Sequence, residues 1–94
     1  SASYVRNYDF IGIVVDGPDK DGYVTVEQRN KMVVGDQIEI IGPYTATLET
    51  EILEMFDEEM NPITEAPHPR QLIKMKLPEG VGLNFMLRKA IEEK

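Results

Sequence analysis

His68 is the one side chain of this 94-residue sequence whose ordinary pKa lies near neutrality, and it stands between Pro67 and Pro69. A general base needs a nucleophile to deprotonate. The chain has no cysteine, and its serines are Ser1 and Ser3 at the start, so a serine triad or a thiolate nucleophile is excluded. With a single histidine there is no HExxH pair and no other two-histidine zinc set. His68 therefore reads as a loop imidazole resting on its neighbours. Asp16, Asp19, Asp21 and Gly22 put oxygen ligands close together, but they lack the spacing and closing glutamate of an EF-hand loop, and a solvated hairpin is the better reading. No catalytic residue, metal or cofactor is assigned.

Two charge features remain. Residues 49–65 carry Glu49, Glu51, Glu54, Asp57, Glu58, Glu59 and Glu65 with no Lys or Arg, while Arg70, Lys74 and Lys76 follow on the outer side of a later strand. Surface solvation is the simplest account, with cross-strand pairing of the two groups as the alternative. The second feature is Arg6, Tyr8, Tyr23, Arg29 and Lys31, a basic and aromatic set suited either to RNA or to a partner domain, although aromatic side chains on strands also serve plain packing.

Composition narrows the possibilities. A net charge of −7 repels a phosphate backbone from most of the surface, which disfavours non-specific nucleic-acid binding. At this length one domain with one core is expected over residues 4–94, with Ser1–Ser3 set aside as a cloning remnant or ragged end. The absence of cysteine fits an intracellular protein. No apolar run approaches the ~20 residues of a membrane span, so a cytoplasmic chain without a membrane partner is expected.

Tyr23–Pro43 organises the rest. Val24 and Val26 alternate with Thr25, Glu27 and Arg29, and Ile38 and Ile40 alternate with Gln37 and Glu39, the pattern of strands buried on one side. Between them Gly35-Asp36 supplies a tight turn. Tyr8–Asp16 reads as a central strand bent at Gly12, joined to Tyr23 by the Asp16–Gly22 hairpin loop. Thr45–Phe56 reads as a strand with a bulge after Ile52, the rival being a helix over Leu48–Met60. Asp57–Pro62 is a second hairpin loop, Ile63 begins a short return strand, and Leu72–Leu77 alternates cleanly. Asn84–Lys94 suits a short terminal helix with Asn84 as N-cap. The expected fold is all-β, a small closed antiparallel barrel of about six strands, with Ile13, Val15, Val24, Val26, Ile38, Ile40, Leu48, Ile52, Ile73 and Met75 in its core.

Several pieces, taken as a set, resemble a known family. They are Arg6–Gly12 (RNYDFIG), Gly22–Lys31 (GYVTVEQRNK), Val34–Glu39 (VGDQIE), Asn61-Pro62-Ile63 and Ala66–Pro69 (APHP). Together they are similar to the C-terminal domain of the collagenase-like peptidase family, U32, over Tyr4–Lys89. The resemblance implies a barrel like domain two of translation elongation factors, attached to a bacterial enzyme about fourfold longer. It also implies that the family's catalytic segment, with its cysteines, lies upstream. Within the family some members are described as peptidases and others resemble hydroxylases of RNA, including transfer RNA. The expected role is thus an accessory barrel that recruits substrate or docks on the upstream catalytic domain, the alternative being an RNA-binding module. Its expected partners are that domain, a protein substrate or transfer RNA.

Overall fold

The computed structural model describes residues 7–43 and 47–91. Every regular element among them is a strand: β1 (Asn7–Asp16), β2 (Tyr23–Gln28), β3 (Met32–Val33), β4 (Gln37–Ile41), β5 (Leu48–Glu51), β6 (Met55–Phe56), β7 (Pro62–Ile63), β8 (Glu65–Ala66), β9 (Leu72–Lys76) and β10 (Met86–Ile91). An eight-stranded antiparallel sheet runs in the order β5-β4-β10-β1-β2-β9-β6-β7, and β3 pairs separately with β8. Residues 48–56 link the two ends of this order, because β5, a margin strand, pairs with β4, while β6, one strand in from the other margin strand β7, pairs with β9. The sheet curls so that this one run of chain spans from one end of it to the other. The expected all-β antiparallel fold is thus present, in the form of a half-barrel in which β5 and β7, the margin strands, share no ladder.

The core follows the period-two pattern in β2, β4 and β9, where Val24, Val26, Ile38, Ile40, Ile73 and Met75 are buried. Ile52 and Met55 are buried as well, whereas Leu53 between them is 76% exposed. The irregular stretch Ile52–Glu54 thus returns Met55 to the core without Leu53, and no helix forms there. Leu48 packs on the core while only partly buried.

Two expectations fail in β1 and β10. Ile13 is only half-buried and Val15 is 39% exposed, while Ile11 and Val14 are fully buried. The register with β10 slips between Phe10 and Gly12. That bulge at Ile11 inverts the side-chain parity of Gly12–Val15, and a second register shift, against β2, falls between Val14 and Asp16. Gly12 sits at this point facing inward, where a Cβ would lie 2.5 Å from Met32 Cε and 2.6 Å from Val26 Cγ1. The expected terminal helix is also absent. Met86–Ile91 is a strand laddered to β1 on one side and β4 on the other, Asn84 adopts φ 72° instead of capping, and residues 92–94 lie outside the described region. Met-Leu-Arg-Lys-Ala has good helix formers, but two ladders satisfy its backbone and bury Leu87 completely, which overrides propensity.

Polar side chains fix the connections. Asp36, after Gly35 at φ 101°, accepts the Val33 N–H on Oδ2 (3.0 Å), closing the turn into β4. Gln28, on the same parity as Val24 and Val26, is 1% exposed and donates Nε2–H to the Ala66 carbonyl (2.6 Å), tying β2 to β8.

Candidate functional site

Residues on the convex side of the sheet are set by register. On the β4–β10–β1 half, Met86 lies opposite both Ile41 and Ile13, and Arg88 lies opposite both Glu39 and Phe10. These make two rows. One is apolar, with Ile41 and Ile13 half-buried and Met86 40% exposed, and Val15 (39%) and Leu83 (56%) extend it. The other is aromatic and cationic. The Arg88 guanidinium stacks 3.8 Å from the Tyr8 ring centroid and bonds Glu39 Oε1 through Nη2 (2.7 Å) and Nε (2.9 Å). Arg29 lies 5.8 Å over the Phe10 ring and pairs with Glu27 (3.0 Å).

The β2–β9–β6 half presents a different group. Tyr23 lies opposite Lys76, Thr25 opposite Lys74, and Phe56 opposite Lys74 from the other side. The Tyr23 and Phe56 rings meet edge to face with centroids 5.7 Å apart, and Lys76 Nζ lies 5.5 Å from the Tyr23 centroid. Two hairpin loops hold these rings. Asp19 Oδ1 accepts the N–H groups of Asp21 (2.9 Å) and Tyr23 (3.0 Å), and Asp57 Oδ1 accepts those of Glu59 and Asn61 (both 2.9 Å). The Tyr23 N–H first of all holds the Asp19 carboxyl below its ordinary value of 3.8, and the Asn61 N–H does the same for Asp57.

The five residues expected to form one patch are not gathered into one. Arg6 lies outside the described residues. Tyr8 and Arg29 flank the Arg88–Phe10 row, and Lys31 pairs with Glu65 (3.5 Å). Tyr23 lies on β2 beyond Thr25, which is level with Asp16, and is therefore more than about 20 Å from Tyr8 along the strands. Arg88, Phe10, Met86, Phe56, Lys74 and Lys76 were not part of the expected set, because only the register of β9 and β10 brings them beside it. Nor does the acidic stretch pair with Lys74 and Lys76: Phe56 faces Lys74, and neither lysine has a carboxylate in ion-pair contact among the described residues.

His68 is exposed, and its backbone N–H donates to Gln71 Oε1 (3.3 Å). No cluster of three or more His, Asp or Glu able to hold a metal occurs among the described residues. No helix among them is long and apolar enough to cross a membrane.

Comparison with known proteins agrees with this architecture. The family model for the peptidase family U32 C-terminal domain matches residues 6–88. The tRNA hydroxylation protein P1 of Bacillus subtilis (strain 168) is 37% identical over 86 residues, covering 87% of this chain and 19% of that protein. The chain thus spans about a fifth of that curated relative. Crystal structures of the C-terminal domain of a candidate U32 peptidase from Geobacillus thermoleovorans superpose closely. The selenomethionine form has TM-score 0.80 at 33% identity, covering 86% of this chain and 99% of that one. The other has TM-score 0.78 at 36% identity, covering 85% and 90%.

Proposed function

We propose, from the premise that the chain belongs to peptidase family U32 as its C-terminal domain, that it is a non-catalytic accessory domain docking on the catalytic part of a longer, cytoplasmic chain. The name of the Bacillus relative, a tRNA hydroxylation protein, favours tRNA hydroxylation over peptide hydrolysis as the work of that longer chain. One observation carries the docking role: the convex face of β4–β10–β1 displays Met86, Ile13, Ile41, Phe10, Tyr8 and an Arg88 already neutralised by Glu39. Aromatic, methionine and arginine side chains are those enriched at interface centres, where unpaired charge is avoided.

Titrating the 94-residue chain with the separately prepared preceding part of a U32 chain tests the reading. Association should change little with salt, and Met86→Glu, which puts a charge in the apolar row, should weaken it about tenfold or more. Association that is absent, or indifferent to both Met86→Glu and Arg88→Ala, contradicts docking through this face. The 94-residue chain by itself should hydrolyse neither gelatin nor casein. Turnover abolished by His68→Ala would show that it carries chemistry of its own.

A further inference from the structure

The β2–β9–β6 face differs from the surface around it in how its cations are used. Arg88, Arg29 and Lys31 each hold a carboxylate, at 2.7, 3.0 and 3.5 Å. Lys74 and Lys76 hold none among the described residues, and they stand beside two half-buried aromatic rings. In a chain of net charge −7, unneutralised ammonium groups next to accessible rings are a local exception to the surface. Asp19 attracts Lys74 from beyond ion-pair contact and is itself held in its loop by the N–H groups of Asp21 and Tyr23.

From this geometry we infer that Tyr23, Phe56, Lys74 and Lys76 form a contact for unpaired RNA, with bases stacking on the two rings and phosphates meeting the two lysines. The inference rests on the reading that the longer chain acts on tRNA, and it is independent of the docking face. Residues two apart on one side of a strand are about 6.7 Å apart, which lets Lys74 and Lys76 meet successive phosphates of an extended strand. Every base has a π-face, so stacking on Tyr23 and Phe56 is tolerant of sequence but requires bases freed from a duplex. A base on Tyr23 displaces the Lys76 ammonium from above the ring and releases it toward the backbone. The strand's path is bounded, because Asp57, Glu58 and Glu59 line a depression with Arg70, Gln71 and Leu72 at the start of β9 and repel phosphate there. The contact is therefore short, with two phosphates and one or two bases.

Fluorescence anisotropy of the 94-residue chain with a labelled, unstructured oligoribonucleotide tests this. Two phosphate contacts predict a log–log salt slope near −1.4, about sevenfold weaker binding between about 50 and about 200 mM salt. The double variant Lys74→Gln/Lys76→Gln should flatten that slope. Phe56→Leu or Tyr23→Leu should weaken binding about fivefold or more with the slope kept. Arg29→Gln/Lys31→Gln should change nothing, and thermal unfolding of each variant separates lost binding from lost fold. The inference is overturned by an absence of binding at low salt, by equal binding of duplex RNA, or by loss in the Arg29/Lys31 variant instead. It is equally overturned if the lysine variant keeps RNA binding and loses association with the preceding part of the chain. Retained RNA binding in a Met86→Glu chain that no longer docks leaves it standing, so the two readings fail separately.

Discussion

The two halves of the convex surface are built from similar side chains, rings beside cations, yet they are prepared for different company. On β4–β10–β1 the Arg88 cation is already paired with Glu39, and Arg29, which follows β2 and reaches over the Phe10 ring of β1, is paired with Glu27 of β2. On β2–β9–β6, Lys74 and Lys76 are not paired among the described residues. Exposed ion pairs contribute only ~0–1 kcal/mol to folding, so the difference matters little for stability. Its effect is on what each face can attract: a neutralised arginine stacked on tyrosine suits a dry protein interface, and an unpaired lysine beside a ring suits a phosphate strand.

The most severe way to break the comparison is to remove the core both faces share. Leu87 is fully buried on β10, and Leu87→Ala should cost about 2–5 kcal/mol in urea unfolding and weaken both interactions together. Gly12→Ala acts at the bulge that sets which residues of β1 reach the docking face. Its Cβ meets Met32 and Val26, and overpacking of this kind costs about 1–3 kcal/mol. Nuclear magnetic resonance shifts of the variant should change around Ile11–Ile13 while those of Lys74 and Lys76 stay in place. Next comes Gln28→Leu, which leaves the buried Ala66 carbonyl without its donor but also removes Gln28 Oε1, a buried oxygen without a partner, so that urea unfolding should show a loss at the low end of about 1–3 kcal/mol.

The smallest effect sharpens the comparison through pH. Asp19 and Asp57 both have carboxyls pulled below 3.8 by backbone N–H groups, and both clamp loops carrying a ring of the β2–β9–β6 face. For a depressed carboxyl the stabilisation is complete above the unfolded value and is lost as pH falls through the lower folded value. Acid below about pH 3.8 should therefore loosen the amides of Tyr23 and Asn61 in hydrogen exchange before those of β10. Asp57→Asn should remove the Asn61 part of that response.

Much of this arrangement is readable from residue order. Val24/Val26, Ile38/Ile40 and Ile73/Met75 alternate because each strand buries one face, and period two records that directly. Asp16–Gly22 and Asp57–Pro62 announce their hairpins through turn formers. Ile13 and Val15 mislead because one extra residue at Ile11 reverses parity, and a bulge has no composition of its own. Met86–Ile91 misleads because its helix formers are overruled by partners 45 and more residues away, such as Ile41. The faces were legible only in part for the same reason. Tyr8, Tyr23 and Arg29 stand out by type, but Arg88 joins Tyr8, and Phe56 joins Tyr23, through ladders that local sequence does not encode.

The central claim is that protein docking and RNA contact occupy separate halves of one sheet. Its most direct test is a crossed titration, in which Met86→Glu and Lys74→Gln/Lys76→Gln chains are each measured against the preceding part of a U32 chain and against transfer RNA. The account predicts that Met86→Glu loses docking and keeps salt-dependent RNA binding, and that the lysine variant does the reverse. If either variant weakens both interactions equally while its thermal unfolding is unchanged, the two halves act as one surface and the division drawn here is wrong.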